Sequence, residues 1–534
     1  MKKKGLQLLF AILVPYTLNA SFPLAILHLE GQLGSADVCA IYNPEFSAIP
    51  MELSSTPKYK VFVPYPPNGC SEYIDVTRSW NASSFVTSDG NCSQFEKFQW
   101  ASYAHARQVI IVRSNDSTEE FETGTHYQHN QVHLSVGMIS YNAWNKVQKL
   151  GEPIYSQLYH PHEPLFDPNI VIIWFIAVFT VCAGAYWSGI AFQQSGSKVI
   201  EQNLFDLDWT DDKKNNSLKE NKQPTEDDDD FQITTVMVVV FVVMICIVLL
   251  LLYFFYKYLI YVVIGLFSLA TVSGTYQCLS KLMSFIKCGQ CRVPENKIPF
   301  LKNQPEVRNV LLLFGCIFLS LYWFIIRNSS YAWILQDFLG ICFCISLIKI
   351  IKLPNLKIST ILLIALLVYD IFFVFITPLF SARGKSVMVE VATGNGNKEQ
   401  LPMVIKVPKM HKSPISLCER PYSLLGFGDI LLPGIFVAFC HNFDVLAKTR
   451  YKVYFLATAI AYGLGLVITF IALILMEIGQ PALLYLAPSV LIAATIVGVS
   501  RKEMRALWIG KVETPSPDSN VENFDEQRLL LDKP

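Results

Sequence analysis

Residues 358–380 read ISTILLIALLVYDIFFVFITPLF, an apolar run interrupted by one carboxylate, Asp370. A helix needs about 20 predominantly apolar residues to cross a bilayer, so this run is long enough, and the acid sits within it. A charge at the centre of such a helix costs at least about 2.5 kcal/mol on insertion scales, which makes Asp370 a functional candidate by position alone. Comparable runs recur at 170–192, 233–256, 259–279, 310–326, 332–350, 422–440, 453–476 and 481–499. Together they predict an all-α polytopic membrane protein, a bundle of nine transmembrane helices. Only Lys257 and its aromatic neighbours separate the second run from the third, which predicts a tight hairpin.

Composition agrees. Of 534 residues, 52% are hydrophobic and 16% charged, against about 25% charged in soluble domains. The formal net charge of zero gives no global attraction for nucleic acid, and the partner implied by composition is the lipid bilayer. Orientation follows from basic residues, which concentrate in short cytoplasmic loops. Lys281, Lys287, Arg292, Lys297, Lys302 and Arg308 lie in the third connection, Lys352 and Lys357 in the fifth, Lys448, Arg450 and Lys452 in the seventh, and Arg501, Lys502 and Arg505 open the tail. All fall on one side, while the alternate short connections hold little more than Lys257, Arg327 and Glu477. The pattern predicts a lumenal N-terminus and a cytosolic C-terminus.

Residues 1–20 begin Met-Lys-Lys-Lys, continue with an apolar core from Leu8 to Val14 and end on small residues, the pattern of a signal peptide. Residues 21–168 then form a lumenal α/β domain, with a helix around 95–106 followed by a strand at 108–112. Asn81, Asn91 and Asn115 begin glycosylation acceptor sequences. Among Cys39, Cys70 and Cys92 one disulfide is expected, with one thiol left over and the pairing open. His126, His129 and His133 are read as a solvated loop, and the lone pair Cys288 and Cys291 as non-metal, so no metal site is expected. The first helix occupies 169–192; residues 193–232, ending in Asp227 to Asp230, are expected to be an acidic, disordered cytosolic linker. Spaced ligands and a turn glycine are missing there, which argues against calcium. Helices two to nine fill 233–500, and 501–534 is a cytosolic tail.

Asp429, in Leu424-Leu425-Gly426-Phe427-Gly428-Asp429-Ile430, is the acid of the span after that of Asp370; Asp337 is a third, read as structural. Two carboxylates on adjacent helices at similar depth cannot both ionise when close, so one keeps a proton. The ionised partner can take a proton from water attacking a peptide carbonyl, while the protonated partner donates to the oxyanion and then to the leaving nitrogen. Gly426 and Gly428 let another backbone approach closely and tolerate unwinding beside the acid. Pro481 opens the last span, and alone it is an ordinary helix start.

In combination and in this order, Tyr369-Asp370, Gly426 to Asp429 and Pro481-Ala482-Leu483 resemble the intramembrane aspartic proteases of the presenilin and signal peptide peptidase group. Tyr369 to Phe375, Leu424 to Pro433 and Gln480 to Leu486 are similar to the type 2 signal peptide peptidase-like subgroup. That resemblance implies Asp370 and Asp429 as the catalytic pair, with Tyr369, Gly426, Phe427, Gly428, Pro481, Ala482 and Leu483 shaping the active-site motifs. It also implies a protease-associated-type lumenal domain and no cofactor. The implied substrates are type II membrane proteins cut within the transmembrane segment, typically stubs left after ectodomain shedding. Shed cytokine and invariant-chain stubs are examples from the family. A homo-oligomer is compatible with the resemblance. Presenilin-like members run the opposite way through the membrane and cut type I stubs. Asp525, Leu529 and Leu530 resemble an acidic dileucine sorting signal read by clathrin adaptors. It points to late endosomes and lysosomes, with plasma membrane, Golgi and endoplasmic reticulum as further stations. A transporter relaying protons through the aspartates is the rival reading, against which no inverted repeat is apparent and polar positions do not run as a file. A membrane chaperone is the weaker third.

Overall fold

The computed structural model describes residues 24–44, 49–64, 67–70, 83–90, 92–113, 134–161, 167–208, 234–284, 306–380, 386–388, 391, 399–410, 414–418, 422–476 and 480–510. The predicted signal peptide, all three glycosylation candidates, the three histidines, the Cys288/Cys291 pair and the candidate dileucine lie outside these residues. The chain divides into two units: residues 1–168 with 408–423, and residues 169–407 with 424–534.

In the first unit the strands are β1 Leu24–Gly31, β2 Gly34–Tyr42, β3 Tyr59–Phe62, β4 Ser83–Ser88, β5 Gln108–Arg113, β6 Ser135–Ser140 and β7 Tyr155–Tyr159. They close in the order β1-β2-β6-β5-β4-β3-β7. This corrects the expectation of an α/β domain: the sheet is a barrel. Parallel pairs β3/β4, β4/β5 and β5/β6 are joined by antiparallel ones, and Ile26 opposite Tyr159 closes the ring. Closure removes both sheet edges, and it depends on a pairing between strands more than a hundred residues apart, for which local sequence carries no signal.

Helix α1 (Gln94–Tyr103) starts where the Ser93 side chain accepts from the Glu96 amide at 3.3 Å, and β5 follows it as the sequence pattern indicates. Alternation along β5 serves two cores. Val109 and Ile111 pack with Phe98 of α1, while Ile110 and Val112 join Leu27, Val38 and Leu158. Lys97 is fully buried, and its ammonium donates to the carbonyls of Ser88 at 2.6 Å and Gly90 at 2.8 Å. A short helix α2 (Tyr141–Val147) follows β6.

Cysteine pairing departs from expectation. Cys70 bonds Cys92, and Cys39 bonds Cys418, a residue of the connection between the sixth and seventh predicted spans. No thiol is therefore left over among these four. Cys39 and Cys418 lie 379 residues apart, so spacing within the N-terminal segment carries no signal for this pair.

The second unit contains α3 Asn169–Asp208, α4 Thr235–Ser284, α5 Val307–Ile326, α6 Ala332–Ile350, α7 Leu356–Ile371, α8 Phe427–Leu446, α9 Val453–Met476, α10 Leu483–Ser500 and the short α11 Met504–Ile509. Among the described residues eight helices are long and apolar enough to cross a membrane, where the sequence predicts nine. The second and third predicted spans fall in α4, a 50-residue run with a non-helical residue at Phe255. A straight helix of that length would reach about 75 Å, against a hydrocarbon core of about 30 Å. Phe255 divides it into two segments of spanning length, two residues from the predicted boundary at Lys257. Helix α3 also continues to Asp208, beyond Gln193, where the linker is predicted to begin.

Close packing places α8 at the centre. Ala177, Val181 and Ala185, four residues apart on α3, are fully buried, and such a small-residue face permits close helix approach. Gly434 of α8 makes room for Ile348 and Val181. Trp174 donates from its indole to the Gly463 carbonyl of α9 at 2.9 Å. Asp444, at the end of α8, accepts from Thr449 Oγ1 and from the amides of Tyr454 and Phe455, so this buried acid caps the start of α9. Strands β8 (Val404–Pro408) and β9 (Tyr422–Gly426) form a two-stranded ribbon leading into α8.

Digestion without reductant, read by mass spectrometry, is expected to yield linked peptides Cys70/Cys92 and Cys39/Cys418. A Cys39→Ser variant should leave Cys418 free for alkylation; a Cys39–Cys70 or Cys39–Cys92 linkage in the wild type would contradict the pairing.

Candidate active site

Asp370 occupies the last turn of α7 and is buried. The helix then widens into a π-turn, Phe372–Ile376, before a short helical turn, Thr377–Phe380. Pro378 explains the change: it offers no amide to the carbonyl one turn back, and its ring crowds that carbonyl. The Phe373 carbonyl instead accepts from Thr377 Oγ1 at 2.6 Å and Ser386 Oγ at 2.8 Å. Thr377 Oγ1 in turn accepts from the Val387 amide at 3.2 Å. A π-turn one residue beyond a buried acid is a pattern frequent at functional sites. Tyr369 turns its ring onto Phe373, with centroids 4.9 Å apart, so packing is what its side chain visibly does.

Asp429 stands in the first turn of α8 and is half-buried. Here the structure corrects the predicted span 422–440: Tyr422–Gly426 is strand, and the helix begins at Phe427. Gly426 is the extended residue at the junction, with φ −67° and ψ 140°. Neither it nor Gly428 has the positive φ that only glycine tolerates well, so their value lies in space rather than in backbone freedom. A Cβ on Gly426 would stand 3.4 Å from Asp429 Oδ2, and any longer side chain would cover the carboxylate. At Gly428 an added Cβ would meet no described atom within 4 Å, and the residue is exposed. Among the described residues, the face beside Asp429 is open.

Asp370 and Asp429 lie near enough for their charges to interact. At the start of α10 the Leu483 backbone N–H is directed at the Asp370 carboxyl. The first amides of a helix have no partner within it, and this one meets the acid. Pro481 and Ala482 lie just before the helix, which starts two residues later than predicted; their carbonyls accept from Leu484 and Tyr485, each at 3.1 Å. Pro481, Ala482 and Leu483 are all buried. Thus the three motifs far apart in sequence converge on one place.

Two supporting residues, Gly340 and Tyr462, carry no sequence signal. Phe427 is buried, stacked on Phe267 with centroids 6.2 Å apart, and its ring fills the space above Gly340 of α6. A Cβ on Gly340 would overlap Phe427 Cζ. Tyr462 of α9 is fully buried, and its hydroxyl donates to the Asp429 carbonyl at 3.3 Å. Asp337 lies against β8 and accepts from the Lys406 amide at 2.9 Å.

Residues 223–514 match the signal peptide peptidase family. The chain belongs to that family. It is 40% identical over 493 residues to signal peptide peptidase-like 2B of Mus musculus, covering 91% of this chain and 82% of the relative. Identity to signal peptide peptidase-like 2A of Homo sapiens is 39% over 510 residues, covering 95% and 93%. Signal peptide peptidase-like 2C of Mus musculus shares 33% over 546 residues, covering 97% and 78%. The protein is accordingly a multi-pass intramembrane aspartic peptidase.

Gly340→Ala tests how tightly this peptidase's acid is held. Overpacking of a filled site costs about 1–3 kcal/mol, and here the strain falls on Phe427, two residues before Asp429. Cleavage of a membrane-embedded substrate is expected to drop about tenfold, with the helical content by circular dichroism unchanged. An unaffected rate would show that Phe427 can move without carrying Asp429.

Proposed function

We propose that this peptidase is an endopeptidase that hydrolyses peptide bonds within the transmembrane segments of type II membrane proteins, with Asp370 and Asp429 as its catalytic pair. The observation that supports the reading is the nearness of the two acids, one at the end of α7 and one at the start of α8, with no described atom against Gly428 beside them. One acid, ionised, removes a proton from the attacking water; the other, protonated, donates to the oxyanion and then to the departing nitrogen. Apparent pKa values then belong to the pair, and the pH–rate profile is bell-shaped. The Leu483 amide orients the Asp370 carboxyl.

A transmembrane substrate is helical and hides its peptide bonds. The strand β9 running directly into Asp429 suits a substrate that has unwound, because a ribbon edge can take up an added strand through backbone hydrogen bonds. Gly426 and Gly428 leave the close approach clear.

Orientation follows the basic residues already described, with the N-terminal unit lumenal and the tail cytosolic, and supports substrates whose N-terminus is cytosolic. The Cys39–Cys418 bond supports it further: both cysteines need the same oxidising compartment. Within this reading the barrel unit is the protease-associated-type domain, and stubs left by ectodomain shedding are the natural substrates. Asp525, Leu529 and Leu530 would direct the protein through clathrin adaptors to late endosomes and lysosomes.

In proteoliposomes, Asp370→Ala and Asp429→Ala are each expected to reduce cleavage of a type II stub by about a thousandfold or more, the double variant being no worse, as for residues acting as one unit. Residual cleavage in both single variants would overturn the assignment. A type I segment in the same vesicles should remain intact. Replacing Leu529 and Leu530 by Ala is expected to shift the protein from endosomal membranes to the cell surface, read by surface labelling.

A further inference from the structure

The ribbon that leads to Asp429 is held by a helix side-chain pair. From α6, Gln336 Nε2 donates to the carbonyls of Pro402 at 3.2 Å and Val404 at 3.1 Å. The next residue, Asp337, accepts from the Lys406 amide through Oδ1 at 2.9 Å. Both side chains are about 5% exposed. Residues 402, 404 and 406 alternate along the chain, and in a strand the backbone groups of every second residue face the same edge. Met403, out of phase with them, points its carbonyl the other way and accepts from the Phe427 amide at 3.2 Å. One edge of the β8 segment is therefore taken by α6, and the opposite edge is bonded to the first residue of α8.

Three physical points make this more than packing. A two-stranded ribbon is marginal by itself and needs an anchor. A slip of one residue in its register would reverse every side chain and move Phe427, two positions before Asp429. Lastly, Asp337 Oδ2 is buried with no hydrogen-bond partner among the described residues. An unsatisfied buried polar atom is costly, and an apolar residue would fill the site without that cost. Outside the spans, burial pushes the Lys406 ammonium below the usual lysine range, and neighbouring Asp337 opposes that push. The carboxyl thus holds β8 by its backbone and favours the charge of the same residue.

We infer that Gln336 and Asp337 are positioning residues of this peptidase, locking the edge of β8 so that the β8–β9 ribbon delivers Asp429 to Asp370. The inference rests on the assignment of Asp429 as catalytic.

The test uses the full chain in proteoliposomes, with variants Asp337→Leu, Asp337→Asn and Gln336→Leu beside wild type and Asp370→Ala. The readouts are kcat and KM for a type II stub, amide hydrogen exchange across residues 404–407, and the thermal unfolding midpoint. Asp337→Leu should speed exchange at the Lys406 amide about tenfold and lower kcat/KM about tenfold, the unfolding midpoint staying near that of wild type. Asp337→Asn keeps a carbonyl oxygen for the Lys406 amide and should restore both quantities to within about threefold of wild type. Gln336→Leu should behave like Asp337→Leu, and it decides the matter if the latter does not fold. Wild-type exchange and cleavage in Gln336→Leu, or an Asp337→Asn as impaired as Asp337→Leu, would overturn the inference. Failure of the catalytic assignment looks different: Asp370→Ala would still cleave, whereas the exchange measurement reports on the ribbon regardless of chemistry.

Discussion

Non-helical backbone among packed transmembrane helices persists only where protein groups satisfy its amides and carbonyls, and the site of this peptidase depends on that constraint being met twice. After Asp370 the α-helix gives way to a π-turn, and the Phe373 carbonyl is taken up by the hydroxyls of Thr377 and Ser386. Before Asp429 the chain is a strand, and its neighbour β8 is taken up by Gln336 and Asp337. Both aspartates thus sit at the boundary between regular helix and irregular backbone. A carboxyl in mid-helix would be wrapped by its own turns; at an end it can be faced by another chain.

The same economy governs the third motif. Pro481 and Ala482 belong to the approach of α10, and the first amide of that helix is directed at Asp370. A helix start supplies an oriented N–H without adding a charged or bulky side chain to a site that must admit a substrate backbone. Around it, glycine serves space rather than conformation: Gly426 and Gly428 leave the carboxylate open, and Gly340 leaves room for Phe427. Fixing Phe427 while clearing the residues on either side of it is a compact way to hold an acid firmly and still expose it.

Much of this was legible beforehand, and the failures have particular causes. Asp370 and Asp429 stood out because acids are scarce in apolar runs, and the length of those runs marks the spans. Reading hydropathy alone placed the seventh span five residues too early, because Tyr422, Leu424 and Leu425 are as suitable for a strand as for a buried helix. Phe255 escaped notice as a backbone break since it is one aromatic among several. Gly340 and Tyr462 were invisible because nothing in a single sequence says which side chain will lie above a glycine or beneath a carbonyl. Asp337 was noticed for its rarity, but what it holds, an amide some seventy residues later, belongs to the three-dimensional arrangement.

The sequence by itself determined what local chemistry determines: the count and rough placement of apolar runs, the helix and strand around residues 94–113, and the few acids within the apolar runs. Tertiary structure alone decided the pairings between distant segments. These are the closing of the barrel between β1 and β7, the bond from Cys39 to Cys418, the meeting of Asp370 with Asp429 and the Leu483 amide, and the hold of α6 on β8. The reason is physical: hydropathy and periodicity are properties of neighbouring residues, whereas each of these contacts is selected by the packing of the whole bundle or barrel.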